Sequence, residues 1–219
     1  MSDLFSAIRL SFAIAGSATV LAMIVAIPLA YLLARSRFVG KSVVEGLIIM
    51  PLVLPPTVVG DLLLVAFGAR GILSKVIEGY SITFRFEGAV LAACIVAFPM
   101  LYLPARGAFN SIDPDLEATA QLFGATRLQL FFQVSLPLAQ KGLASGLLLA
   151  FARALGEFGA TVMVFGWQPN RLTLPVSIYS DYEQGDLAHA WPAVLALSVF
   201  SLGLTMLYNA SNAGRWTRE

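Results

Sequence analysis

The sequence predicts an all-α integral membrane protein, a polytopic bundle of about five transmembrane helices. Three observations lead to this fold class. Hydrophobic residues make up 58% of the 219 residues and charged residues only 12%, whereas an ordinary soluble domain carries about a quarter charged residues. The mean hydropathy is +0.80. Several apolar stretches also reach the roughly 20 residues that a helix needs to cross a bilayer.

Five stretches are long and apolar enough to be predicted as spans. They cover residues 11–34, 43–67, 89–108, 143–165 and 191–209. We expect them to form a single transmembrane domain over residues 1–219, with a core of about 8–210, in contact with membrane lipid. The outer loops 68–88 and 166–190 look short and partly ordered, too small for a solute-binding domain.

The distribution of basic residues predicts how the chain crosses the membrane, because cytoplasmic loops carry excess Lys and Arg. One side holds Arg35, Arg37, Lys41, Arg106, Arg127, Lys141, Arg215 and Arg218. The other side holds Arg9, Arg70, Lys75, Arg85 and Arg171. This difference predicts an outside N-terminus and a cytoplasmic C-terminus in the cell membrane.

Prolines interrupt the second and third predicted spans. They are Pro51, Pro55 and Pro56 in the second span and Pro99 and Pro104 in the third. Each proline removes a backbone donor and clashes with the preceding turn, so these helices should kink or unwind. Broken backbone at membrane depth is tolerated where it faces protein or a water-filled path. The stretch with Pro55, Pro56 and Thr57 is therefore a candidate path lining, and the alternative is a kink that serves packing only.

A polar segment, residues 112–138, separates the third and fourth predicted spans, and we call it the polar loop. Asp113 is a suitable N-cap, Pro114 fits the first helical position and Gly124 fits a left-handed C-terminal position. A second short helix is expected over 126–136, ending before Pro137. Apolar residues recur at helical spacing on both helices: Leu116, Ala120 and Phe123 on the first, and Leu128, Phe131, Phe132 and Ser135 on the second. Faces this short need a partner surface to pack on.

Two charged residues, Arg153 and Glu157, lie four apart within the fourth predicted span, hence on one helix face. Ionisable residues in a membrane are costly unless they are paired or hydrated. They are candidates for lining a translocation path or its gate. A structural ion pair that fixes helix packing is the alternative.

The segment "ATAQLFGATRLQLFFQVSLP", residues 118–137, resembles the cytoplasmic coupling motif of ABC-importer permeases. The resemblance implies an ATPase-coupling role for Glu117, Ala118, Thr119, Ala120, Gly124, Val134, Leu136 and Pro137. Ala118 stands where the family glutamate often lies, and Glu117 comes one residue earlier. The stretches "PLVLPPTVVGDLLL" and "LAFARALGEFGATVMVFG" are similar to the molybdate permease subunits of such importers, although Asp61 stands where that family suggests an uncharged residue.

This resemblance implies a type I importer permease fold with a cytoplasmic coupling helix. It also implies two cytoplasmic ABC ATPase subunits, an extracytoplasmic molybdate-binding protein, and molybdate as the transported ion. Sulfate permeases are similar around "ARALGEFGA", and tungstate permeases are related, so both ions remain alternatives. Because five helices make thin walls for a hydrated path, we expect a homodimer. A secondary transporter is the alternative from another class, although such proteins more often show internal repeats.

No catalytic, cofactor or metal site is expected in the chain itself. The segment "RSRFVGKS", residues 35–42, ends like a phosphate-binding loop but has Arg35 where that loop needs glycine. ATP hydrolysis is therefore expected from a partner subunit. His189 is the sole histidine and lacks neighbours suited to metal binding. The single cysteine, Cys94, allows no disulfide, and a net charge of +1 offers nothing to attract nucleic acid.

Overall fold

The computed structural model describes residues 2–72, 74, 81–168 and 171–212, and within these residues all regular structure is helical. Lys75, Arg215 and Arg218, which entered the orientation prediction, lie outside the described residues. The helices are α1 (Ser2–Arg35), α2 (Lys41–Val53), α3 (Pro56–Phe67), α4 (Phe86–Asn110), α5 (Pro114–Leu122), α6 (Arg127–Leu155), α7 (Gly159–Phe165), α8 (Leu174–Glu183) and α9 (Leu187–Asn212).

Among the described residues, four helices are long and apolar enough to cross a membrane: α1, α4, α6 and α9. The pair α2 and α3 passes the same criteria together but is bent by 116° at its break, and counts as a fifth span if it is taken as one. The predicted number of about five agrees with this upper count. The prolines of the second span also explain the bend, because Pro55 is the last residue between the two helices and Pro56 is the first residue of α3.

The main core is a close-packed layer of α1, α4 and α6. Alanines line the face of α1 toward this core at helical spacing and are fully buried: Ala15, Ala18, Ala22, Ala26 and Ala30. A β-carbon on Gly142 of α6 would lie 2.5 Å from the Ala108 Cβ of α4. Small residues at these contacts let the helix backbones approach closely, which is how helices gain van der Waals contact in a membrane.

A second, smaller core joins α3, α4 and α7. Its buried residues include Val59, Leu63, Val96 and Val164. A β-carbon on Gly60 of α3 would lie 2.6 Å from the Met163 Cβ of α7. This contact holds the short helices α3 and α7 side by side.

The prediction for the fourth span was wrong at both ends. The helix α6 does not stop before Pro137 but runs from Arg127 to Leu155, and the predicted span 143–165 breaks after Leu155. Residues Leu130–Ser135 form wider, π-helical turns. In a regular α-helix the ring of a proline clashes with the carbonyl of the residue four positions earlier. The wider turns before Pro137 move this carbonyl away from the ring, so the helix continues through Pro137. The polar loop therefore holds one short helix and the start of a span instead of two short helices.

The third span does not unwind at its prolines. Helix α4 is continuous from Phe86 to Asn110 with Pro99 and Pro104 inside it. More than half of this helix is buried in the protein, and its packing on both neighbours outweighs the loss of two backbone hydrogen bonds.

The helices give the molecule two distinct ends. At one end, the start of α1 packs against α8 and α9, with Ala7, Leu174 and Ala193 buried together. The Leu174 N–H donates to the Ser11 Oγ at 2.8 Å. At the other end, Arg35 at the end of α1 meets the polar loop.

Candidate functional site

The polar loop is shaped by local capping interactions. The Asp115 N–H donates to the Asp113 Oδ1 at 2.9 Å, and Pro114 is the first residue of α5. Gly124 has φ +86°, in the left-handed region. Thr126 and Gln129 form a reciprocal capping box at the start of α6. The predicted N-cap, first helical proline and left-handed glycine are all confirmed.

Glu117 lies at the centre of the loop's attachment to the rest of the molecule. Its side chain accepts hydrogen bonds from the Arg35 Nε at 2.6 Å and the Arg35 Nη2 at 2.6 Å. The Ser135 Oγ donates to the same carboxylate at 2.7 Å. A bidentate arginine–carboxylate pair is both strong and orientationally specific. Glu117 therefore ties α5 to the end of α1 and to α6.

The same contacts determine the charge state of Glu117. Burial raises the pKa of Glu117. The hydrogen bonds from Arg35 and Ser135 and the Arg35 charge together lower this pKa by more, so it lies below the ordinary value of a glutamate. Glu117 is therefore ionised at neutral pH. Only 7% of the residue is exposed, so its carboxylate faces inward instead of forming part of the outer surface.

The other residues of the coupling motif are spread over the surface of the loop. Ala118 and Thr119 are exposed and Ala120 is half-buried on α5. Val134 and Leu136 are half-buried, and Pro137 is exposed. The Thr119 Oγ1 donates to the Asp115 carbonyl at 2.7 Å within the helix.

Large apolar side chains on the loop remain open to solvent. Leu122 is 88% exposed and Phe123 is 89% exposed. We call this patch the apolar loop surface; its residues are Leu116, Leu122, Phe123, Leu128 and Phe132. Several large exposed apolar side chains on one short loop are typical of a protein-binding site.

Two residues of the predicted apolar face point the other way. The Phe131 ring packs on the Tyr31 ring at 4.9 Å between centroids, and Ser135 is fully buried. The wider turns at Leu130–Ser135 change the angular spacing of the side chains, which a regular helical period does not anticipate. Leu122, which the helical spacing left out, is among the most exposed residues of the loop.

Two breaks in the helices lie against each other. The first, at Leu54 and Pro55, separates α2 from α3, and the second, at residues 156–158, separates α6 from α7. A β-carbon on Gly159 would lie 3.1 Å from the Pro56 Cβ and 3.2 Å from the Thr57 N. The candidate path residues Pro55, Pro56 and Thr57 are thus placed beside the segment that carries Glu157.

Arg153 and Glu157 form an ion pair, with Arg153 Nη1 2.6 Å from Glu157 Oε2. They do not share a helix face, because α6 ends between them at Leu155. The Glu157 side chain is 1% exposed, and its Oε1 accepts the Ala160 N–H at 2.9 Å. Glu157 thereby satisfies a backbone donor in the first turn of α7, which would otherwise lack a partner.

Sequence reasoning missed a third charged contact, between α2 and α4. Arg106 Nη2 lies 2.9 Å from Glu45 Oε1, and Lys41 Nζ lies 3.8 Å from the same atom. The spacing of Lys41 and Glu45 at i, i+4 was a usable signal. The long-range partner, Arg106, was counted only as a basic loop residue.

No group of three or more His, Cys, Asp or Glu side chains that could hold a metal ion occurs within the described part of the chain. The His189 Nδ1 lies 3.2 Å from Asp181 Oδ2 at the end of the molecule opposite the polar loop. Cys94 is buried.

Known proteins resemble the chain over most of its length. Residues 26–216 match the family described as "Binding-protein-dependent transport system inner membrane component". A molybdenum transport system permease protein ModB from Haemophilus influenzae is 43% identical over 206 residues, covering 92% of this chain and 90% of that protein. A putative molybdenum transport system permease protein, YvgM, from Bacillus subtilis is 39% identical over 204 residues, covering 91% and 90%.

A solved structure shares the fold. It is a crystal structure of a bacterial alginate ABC transporter in complex with a periplasmic protein bound to an alginate pentasaccharide. The TM-score is 0.75 with 19% sequence identity, covering 100% of this chain and 81% of that chain.

Proposed function

This chain belongs to the family of binding-protein-dependent transport system inner membrane components, and from that premise we propose that it forms the membrane pathway of an ATP-driven importer for molybdate. The molybdenum permeases similar to it over about nine tenths of their length support the choice of ion. It is an inner-membrane permease that works with ATPase subunits and a periplasmic binding protein. The permease is not itself an enzyme, because ATP hydrolysis belongs to the partner ATPase.

The observation that carries this proposal is the apolar loop surface held in place by Glu117. Leu122 and Phe123 are nearly fully exposed at the end of helix α5, whose own position is fixed by Arg35 and Ser135. A rigid apolar projection outside the membrane suits a groove on a partner protein. We assign the ATPase contact to this surface and to the exposed motif residues Ala118 and Thr119, whereas Glu117 acts from inside as a positioning residue.

The remaining motif positions have structural parts in the same coupling. Ala120 is a small, half-buried residue on α5. Gly124 takes the left-handed conformation with which the chain reverses direction after α5. Val134, Leu136 and Pro137 carry the loop into α6, which continues into the membrane. A movement of the ATPase surface therefore acts directly on a transmembrane helix.

The path lies at the two helix breaks, lined by Pro55, Pro56 and Thr57 and flanked by the Arg153–Glu157 pair. Two copies of the chain enclose it, since a two-fold dimer doubles the number of helices available as walls, and each copy binds one ATPase subunit. Closure of the ATPases on ATP draws the two polar loops together and opens the path to the outside. The binding protein then releases the anion, and hydrolysis returns the path to the inward-facing state.

The start of α1 lies outside the cell and the polar loop lies in the cytoplasm. A chain whose native Cys94 is replaced by Ala should react with an impermeant thiol reagent from the cytoplasm at Ser36→Cys and from outside at Gln184→Cys. The reverse labelling would overturn this orientation.

The proposed function is tested with the purified complex in proteoliposomes. The ATPase should remain bound through detergent extraction, and its activity should rise when binding protein loaded with molybdate is added. Stronger stimulation by sulfate-loaded or tungstate-loaded binding protein would move the assignment to that ion. Uptake driven by an ion gradient without an ATPase would instead favour a secondary transporter.

A further inference from the structure

Helix α3 exposes two chemically different edges. Thr57 and Asp61, one turn apart, form a polar edge. The apolar edge, rotated roughly 100° around the helix on the 3.6-residue repeat, consists of Val58 and Leu62. The opposite side of the helix is buried against α4 and α7 through Val59, Gly60 and Leu63.

Asp61 is an exposed carboxylate within a segment apolar enough to be part of a span. Among the residues that the structure describes, no ion pair or hydrogen bond involves its side chain. An unpaired charge facing lipid is strongly unfavourable, so the Asp61 carboxylate requires water. The apolar edge on the same helix has no such requirement and suits lipid or an apolar neighbour.

The polar edge is continuous with the helix breaks. Thr57 contacts the position of Gly159 at the start of α7, and Gly156 in the neighbouring break is exposed. The Arg153 side chain in the same region is 28% exposed. The polar edge therefore starts beside the break between α6 and α7.

We propose that the Thr57–Asp61 edge of α3 lines the water-filled path, and that Asp61 places a negative charge there which opposes the transported oxyanion. The inference rests on the proposed import function for the nature of the substrate. In a two-fold dimer the carboxylate occurs twice at the same depth. The repulsion keeps the affinity for a free oxyanion low in the part of the path next to α3. The anion therefore does not accumulate beside α3.

The path surface and its potential can be measured without any transport assay. Single cysteines are introduced at Thr57 and, as the matched control on the apolar edge, at Leu62, both with Cys94→Ala. The complete complex in proteoliposomes is exposed on both membrane faces to cationic or anionic methanethiosulfonate reagents, with and without vanadate-trapped ATPase. The cysteine at position 57 should react at least about tenfold faster than the cysteine at position 62 in one of these states, since thiols react as hydrated thiolates.

The charge of Asp61 is then tested with Asp61→Asn. Side chains four apart on a helix lie about 6 Å apart, and a unit charge at that distance in a water-like medium changes the reaction of a singly charged reagent about threefold. The ratio of cationic to anionic reaction rates at position 57 should therefore fall about tenfold in Asp61→Asn. Equal reactivity at positions 57 and 62 would overturn the lining, and an unchanged ratio would overturn the electrostatic role.

A binding measurement separates this inference from the proposed function. If the chain is the importer permease, Asp61→Asn should keep ATPase association and increase the retention of molybdate in the path, measured as raised binding to the vanadate-trapped complex. If the wild-type chain does not associate with an ATPase, the proposed function is refuted. The cysteine reactivities would still show whether the Thr57–Asp61 edge is exposed to water. Unchanged anion retention in Asp61→Asn would refute the opposition between Asp61 and the substrate.

Discussion

Two of the arginine–glutamate pairs among the described residues, Arg35–Glu117 and Arg153–Glu157, resemble each other in burial and differ in what they join. In both, the arginine side chain is 28% exposed, and the glutamate is 10% exposed in Arg35–Glu117 and 1% exposed in Arg153–Glu157. The first pair connects residues 82 apart in sequence through two hydrogen bonds from one guanidinium. The second connects residues four apart, and the second oxygen of Glu157 accepts a backbone N–H.

The two ion pairs therefore have different structural functions, although both join an arginine to a glutamate. A long-range bidentate pair fixes the orientation of one element relative to another, so Arg35–Glu117 can pass a displacement of the polar loop to the transmembrane helices. A local pair at the end of a helix stabilises a particular backbone shape, so Arg153–Glu157 maintains the break between α6 and α7. The first should affect coupling to the ATPase, and the second should affect folding.

The largest effect is expected at the local pair. Arg153→Ala removes the charged partner of the buried Glu157 side chain, and breaking a buried ion pair in this way destabilises by about 3 to 5 kcal/mol. The double variant Arg153→Ala with Glu157→Gln should recover at least half of this loss, since glutamine is neutral and still offers an oxygen to the Ala160 N–H. Thermal unfolding in detergent measures both variants. Equal stability of the single and double variants would show that the Glu157 charge is not the cause.

A smaller loss of stability but a larger loss of coupling is expected at the long-range pair. Arg35→Ala removes two hydrogen bonds from Glu117, but water can replace them in part, because the Glu117 side chain is 10% exposed against 1% for Glu157. Arg35→Lys keeps the charge without the planar fork and should be intermediate. The readout is co-purification of the ATPase at an equal amount of permease in the membrane. The control is Arg127→Ala, an exposed arginine at the start of α6; an equal loss in this control would contradict the specific role of Arg35.

A third change tests the backbone of the polar loop instead of its ion pair. A residue with a β-carbon at φ +86° costs about 1 kcal/mol or more, and valine costs more than alanine. Gly124→Val should therefore reach the membrane in normal amount but lose ATPase association and uptake. Gly185 has φ +75° at the opposite end, and like Gly124 has no atom within 4 Å of an added β-carbon. Gly185→Val should be equally strained yet keep ATPase association.

The smallest effect is the pH dependence of the long-range pair. Because the folded state lowers the Glu117 pKa, the pair contributes its full stability above the unfolded pKa, which is about 4.3 for a glutamate. The contribution is lost as pH falls through the lower, folded pKa. The difference in unfolding free energy between the wild type and Glu117→Gln should be constant from pH 7 to about pH 5 and shrink below pH 4. A difference that disappears near pH 6 would contradict an ionised, paired Glu117.

Features with a local cause could be predicted from the sequence. The cap at Asp113, the turn at Gly124 and the bend near Pro55 each follow from the conformational restrictions of one or two residues. The apolar length of the spans likewise predicted the membrane fold. The Arg35–Glu117 pair has no local signal, because either residue alone is compatible with a solvated charge.

The errors have a physical origin in tertiary packing. Proline was expected to end a helix at Pro137 and to disrupt α4 at Pro99, but packing and wider helical turns kept both helices continuous. Conversely, the stretch around Gly156 was expected to continue as a span and breaks instead. Contact of Gly159 with Pro56 and Thr57 requires α7 to leave the line of α6, and no periodicity within the stretch records that contact.

The unbroken length of helix α1 links the two ends of the molecule. It is one helix of 34 residues, and at 1.5 Å per residue its segment between Ser11 and Arg35 is about 36 Å long. Arg35 is bound to Glu117 at one end, and Ser11 accepts the Leu174 N–H at the other. Helix α1 therefore connects the polar loop directly to α8, and a displacement of Arg35 along the helix axis would also displace the residues that contact Leu174.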